Sequence, residues 1–207
     1  MLLTDASTGP ALVAAIVYAS AAFIILRRVR AFHPHPTFGT ANAVTLARFA
    51  VACAFAAVAA GPIDHAGWAL FGASMAVLAA DGIDGWLARR LGMESRFGAR
   101  FDMETDAFFV LVLSIIAWRA DKAGAWVLLS GGARYLYVAA GAVVPALRKP
   151  LEVSFRRKLV AVIQIGTLVA LLAPIVQPPV SAVLALLALA CLIYSFGVDI
   201  VRQVRSA

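Results

Sequence analysis

The chain has 207 residues, of which 63% are hydrophobic and 14% charged, with a net charge of +7. A soluble domain is roughly half apolar and about a quarter charged, so this composition excludes an ordinary soluble enzyme and implies an all-α, polytopic transmembrane helical bundle. Apolar runs of about 20 residues without two-residue alternation exclude a membrane β-barrel, and basic residues scattered between those runs, with no basic stripe, exclude nucleic acid as a partner.

The first apolar segment covers residues 10–26. Its length is at the lower limit for a span, so crossing the membrane and lying at its surface both stay open. Arg27, Arg28 and Arg30 follow it, the reverse of the order in a cleavable signal peptide. His33-Pro34-His35-Pro36 reads as a surface connection, and two histidines without a third ligand do not make a metal site. Residues 1–40 are therefore an N-terminal apolar helix and its connection, and residues 41–207 a six-helix core.

Further apolar segments lie near 43–60, 67–88, 101–118, 124–147, 159–176 and 180–200. Threading them alternately puts the basic loops 89–100 and 148–158, with Arg202 and Arg205, on one side. By the positive-inside rule that side is cytoplasmic. The expectation is seven spans, an outward N-terminus and an inward C-terminus, in the inner (plasma) membrane of a bacterium. Cys53 and Cys191 fall within apolar segments and are expected as small core residues without a disulfide. The many alanines and glycines of the second and third segments allow close helix packing.

Four aspartates interrupt this pattern. Asp81, Asp84, Gly85 and Ala88 are spaced i, i+3, i+4, i+7, one stripe of a helix. Asp102 and Asp106 are i, i+4 on the next helix, one turn beyond Gly98. A short connection makes the two helices antiparallel neighbours, so the carboxylates converge at one membrane face. Such a cluster near a bilayer calls for a cation. All-oxygen ligands without His or Cys suit Mg²⁺ or Mn²⁺. Gly85 and Ala88 leave the helix face bare, and Arg89 adds a cation for phosphate; together these describe a diphosphate site. A divalent-cation channel or carrier is the competing reading, but its path would need carboxylates spread across the membrane, and it has no use for the Gly85/Ala88/Arg89 surface.

The stretch Asp81-x-x-Asp84-Gly85-x-x-Ala88-Arg89, eight residues, Gly98, three residues, Asp102, three residues, Asp106 resembles the signature of the CDP-alcohol phosphatidyltransferase family at every defined position. The six segments from about 43 onward resemble that family's six-helix core. The resemblance implies that Asp81, Asp84, Asp102 and Asp106 hold a pair of Mg²⁺ or Mn²⁺ ions, with Asp106 also the general base. It implies that Gly85, Ala88, Arg89 and Gly98 line a cytidine nucleotide. Asn42, Thr45 and Arg48 match the family's Asn-x-x-Thr-x-x-Arg segment, which puts Asn42 and Thr45 near that nucleotide. The implied substrates are CDP-diacylglycerol and a small alcohol, within a lipid bilayer, and the implied assembly is a homodimer.

The acceptor is read from Arg134, set among apolar residues, and from Arg156, Arg157 and Lys158. A buried membrane Arg is expected to meet an anion, so an acceptor carrying phosphate is favoured, glycerol 3-phosphate first and inositol phosphate next. Tyr135 and Val160-Ala161 depart from the Glu and Lys-Thr that glycerol phosphate-using members tend to have, which leaves serine and choline open as well.

Overall fold

The computed structural model describes residues 9, 10, 12, 15, 16, 18, 19, 38–63, 67–91, 95–148 and 154–205, with the side chains of 83–89 and 91 outside the description. Every regular element among the described residues is helical: α1 (Thr40–Ala60), α2 (Gly67–Leu91), α3 (Arg96–Arg119), α4 (Leu128–Val143), α5 (Phe155–Leu172) and α6 (Val180–Arg205), with 3₁₀ turns Ala125–Val127 and Pro145–Arg148. Arg27, Arg28, Arg30, His33, His35, His65, Glu94 and Lys149 lie outside the described residues.

Local chemistry sets the helix ends. Gly39, at φ 81, turns the chain into α1, a left-handed conformation that glycine adopts without strain. Gly61 closes α1 by donating its N–H to the carbonyls of Ala57 and Val58, both at 3.1 Å, and Pro62 follows. Ser95 precedes α3, and its hydroxyl accepts the Gly98 N–H at 2.9 Å, satisfying one of the donors every helix start leaves open. At the far end Asp121 takes φ 55 and the Lys122 N–H reaches Ala117 O at 2.9 Å, a Schellman closure. Arg148 donates from Nε to Gly141 O at 2.6 Å and from its guanidinium to Ala142 O at 2.8 Å, capping the last carbonyls of α4.

Three expectations need correction. The basic stretch 89–100 is mostly helix rather than loop: α2 runs to Leu91 and α3 starts at Arg96, because hydropathy marks where the apolar surface ends while the Ser95 cap marks where the helix starts. Arg156, Arg157 and Lys158 are likewise in the first turn of α5 rather than in a loop. Cys191 is exposed, whereas Cys53 is buried; neither is in a disulfide.

The chain divides into two compact units, residues 1–112 and 113–207. In the first, Phe49, Cys53, Phe97 and Phe101 form a core, with Phe38, Leu46 and Phe108 packed on it. Its rings meet in pairs, Phe97 with Phe101 at 5.9 Å and Phe49 with Phe108 at 5.5 Å, so α1 is held against α3 by aromatic contact. Pro10 lies beside Gly61 and Tyr18 stacks on Phe49 at 6.3 Å; the described N-terminal residues therefore run antiparallel to α1. In the second unit Leu113, Ile116, Val127, Leu168 and Leu171 are fully buried. Beside them Lys122, also buried, donates to Val176 O at 2.8 Å, and its own carbonyl accepts the Ser181 hydroxyl at 2.6 Å. Desolvation lowers the pKa of this lysine.

α1 and α6 are long and apolar enough to cross a membrane, with mean hydropathies of 2.0 and 2.3. The outer surface is itself oily. Val143, Phe155, Ile175, Val162 and Tyr194 are each more than 60% exposed, an arrangement unfavourable in water and natural in lipid.

Candidate active site

One stripe of α1 carries the polar residues Asn42, Thr45 and Arg48, and all three are buried. Arg48 is the only charged residue of that helix. Its guanidinium reaches Asp81 Oδ1 of α2 at 2.7 Å and Asp102 Oδ1 of α3 at 2.8 Å, and it pairs with Asp106 Oδ1 as well. The Arg48 side chain is 4% exposed, whereas those of Asp81, Asp102 and Asp106 are 39%, 39% and 34% exposed. A buried cation thus forms the floor of a half-open carboxylate basin. The sequence marks Arg48 as the last residue of the Asn-x-x-Thr-x-x-Arg segment and the solitary charge of its helix, but its pairing with the three aspartates is seen only in the fold.

Oxygens of Asp81, Asp102 and Asp106 lie within 4.8 Å of one another. Three half-exposed carboxylates gathered on one side, an all-oxygen donor set, fit a hard divalent cation. Mg²⁺ binds oxygens at about 2.0–2.1 Å in an octahedron, and carboxylate oxygens no more than 4.8 Å apart are close enough to meet one ion after small side-chain rotations. Asp84, Gly85, Ala88 and Arg89 follow Asp81 within the helical backbone of α2, but their side chains lie outside the description. Glu104 is exposed and set off the Asp102–Asp106 stripe, as helical geometry requires.

Gly98 lies where α3 starts beside α1. A Cβ there would stand 2.9 Å from Asn42 Oδ1 and 3.2 Å from Ser95 Oγ, so the absence of a side chain lets Asn42 approach the α3 backbone. Asn42 is fixed by donating from Nδ2 to Phe38 O at 2.6 Å, and Thr45 donates its hydroxyl to Ala41 O at 3.2 Å. Asn42, Gly98, Arg48 and the aspartates therefore belong to one continuous packing unit.

The remaining basic candidates lie in the second unit. Arg134 is half-buried on α4. Arg156 donates to Ser195 O at 2.9 Å and pairs with Asp199 of α6, and Arg157 lies 3.5 Å from the same carboxylate. Asp199 is buried and is the only acid of α6; nothing in the sequence reading singled it out. Lys158 is exposed. Tyr137 donates its hydroxyl to Gln203 and packs edge-on to Phe196 at 5.5 Å.

The family model for CDP-alcohol phosphatidyltransferase matches residues 38–194. No curated protein and no solved structure gives a significant match. The family model covers most of the chain and both aspartate-bearing helices, and the chain belongs to the CDP-alcohol phosphatidyltransferase family. It is an integral membrane transferase of substituted phosphate groups, acting between a CDP-alcohol and an alcohol acceptor.

Proposed function

We propose that this enzyme moves the phosphatidyl group of CDP-diacylglycerol to a phosphate-bearing small alcohol, glycerol 3-phosphate first among them, and releases CMP. The observation that carries the reading is the convergence of Asp81, Asp102 and Asp106 around Arg48. In the proposed reaction the acceptor hydroxyl attacks the phosphorus bonded to diacylglycerol. The new O–P bond forms as the bond to CMP breaks, and its electron pair leaves on the CMP phosphate.

The chain's own residues divide the work. Asp81, Asp102 and Asp106, with Asp84 by its position on the same helix stripe, would hold Mg²⁺ or Mn²⁺, as a pair of ions if all four take part. Bound there, the metal supplies charge neutralisation for the diphosphate. Asp106 takes the acceptor's proton on its carboxylate. Gly85, Ala88 and Arg89 form the nucleotide face, joined by Asn42, Thr45 and Gly98. Arg134, Arg156, Arg157 and Lys158 bind the acceptor's phosphate; what supports this is their charge and the shared Asp199, which holds two of them side by side. Lipid tails remain in the bilayer while headgroup chemistry takes place at the cytoplasmic face, and the working unit is a homodimer.

The test is CMP release by purified protein supplied with CDP-diacylglycerol, Mg²⁺ or Mn²⁺, and glycerol 3-phosphate, inositol phosphate, serine or choline in turn. Release with glycerol 3-phosphate alone supports the full reading. Release only with serine or choline removes the acceptor assignment and keeps the transfer.

A further inference from the structure

We propose that Arg48 is a built-in cation of the carboxylate basin, occupying the Oδ1 atoms that a divalent ion would use and so setting the affinity for that ion. The inference rests on reading the basin as a divalent-cation site.

Arg48 is buried beneath the basin and touches all three described aspartates through Oδ1. A guanidinium presents several N–H donors in a rigid planar fork and stays protonated at any physiological pH. It therefore holds the carboxylates together whenever no metal is present, when three like charges would otherwise force the helices apart.

Metal and guanidinium cannot both hold the same oxygen lone pairs at full strength, and both are cations. Metal entry must therefore weaken the Arg48 pairs. The position of Arg48 on the buried side leaves the exposed edges of the carboxylates open to the incoming ion, so the two cations approach from opposite sides. The consequence is a site that is folded without metal and binds metal more weakly than its carboxylate count alone would dictate.

The experiment measures Mn²⁺ binding by electron paramagnetic resonance on wild type, Arg48→Gln and Arg48→Lys in detergent micelles. Melting temperatures are recorded in EDTA and in Mn²⁺. Arg48→Gln should bind Mn²⁺ at least about tenfold more tightly, and its melting temperature should fall in EDTA and recover in Mn²⁺. Arg48→Lys, which keeps the charge, should bind close to wild type. Wild-type binding with equal or weaker binding by Arg48→Gln would overturn the role given to Arg48. So would an Arg48→Gln protein that fails to fold in Mn²⁺ as well as in EDTA. Absence of Mn²⁺ binding by wild type would instead remove the metal-site reading itself, and the inference with it.

Discussion

Replacing Gly98 with Ala separates a glycine that is merely tolerated from one that the site requires. In an unconstrained helix the change stabilises by up to about 1 kcal/mol, because glycine is the poorer helix former. Here the new methyl would meet Asn42 Oδ1 at 2.9 Å and Ser95 Oγ at 3.2 Å. The first contact is shorter than carbon and oxygen tolerate. Asn42 has little room to yield, since it is buried and tied to Phe38 O by a 2.6 Å hydrogen bond. Overpacking of this kind costs about 1–3 kcal/mol, and disturbing the Asn42 bond adds about 1 kcal/mol. The expected balance is a net loss of about 1–3 kcal/mol, read by denaturant unfolding in micelles. In an Asn42→Ala background the obstructing oxygen is gone, and Gly98→Ala should become neutral or stabilising. A double-mutant cycle should therefore give a coupling of about 1–3 kcal/mol. If Gly98→Ala stabilises both backgrounds equally, Gly98 is not the seat of Asn42 and the close approach of α1 to α3 has been misread.

Asp106→Asn keeps the shape of the side chain and removes its charge as base, metal ligand and partner of Arg48; turnover should fall about 10²–10⁴-fold, and the rise in melting temperature on adding Mn²⁺ should be smaller than in wild type. Asp199→Asn leaves Arg156 and Arg157 without their shared carboxylate; because both arginines are partly exposed, the loss should be about 1–2 kcal/mol in unfolding experiments. Lys122→Met strips the Val176 carbonyl of its donor and should destabilise by about 1–3 kcal/mol in the same experiments, with KM values unchanged. Arg134→Ala should raise the KM for the acceptor well above any change in the KM for CDP-diacylglycerol.

Much of this was legible in the sequence, for physical reasons. Apolar runs of membrane length can only be helices, because an unpaired backbone is too costly in lipid, and the i, i+3, i+4 spacing of the aspartates places them on stripes whatever the details of packing. The convergence of Asp81, Asp102 and Asp106 follows from that spacing and a short connection. What was not legible depends on contacts between helices. Arg48 reaches its partners across 54 and 58 residues of chain for Asp102 and Asp106, and no local pattern encodes such a pairing. Asp199 meets Arg156 across 43 residues. The helix starts at Arg96 and Phe155 were missed because hydropathy falls before the helix ends: the polar last turns of a membrane helix look like loop until their caps are seen.

The most direct test of the account is metal-dependent release of CMP from CDP-diacylglycerol by the purified wild-type protein, with Asp102→Asn as the control. The account predicts release that needs Mg²⁺ or Mn²⁺ and an acceptor alcohol, stops on addition of EDTA, and is lost in Asp102→Asn. Release that proceeds equally well in EDTA, or that survives loss of the Asp102 carboxylate, would contradict it.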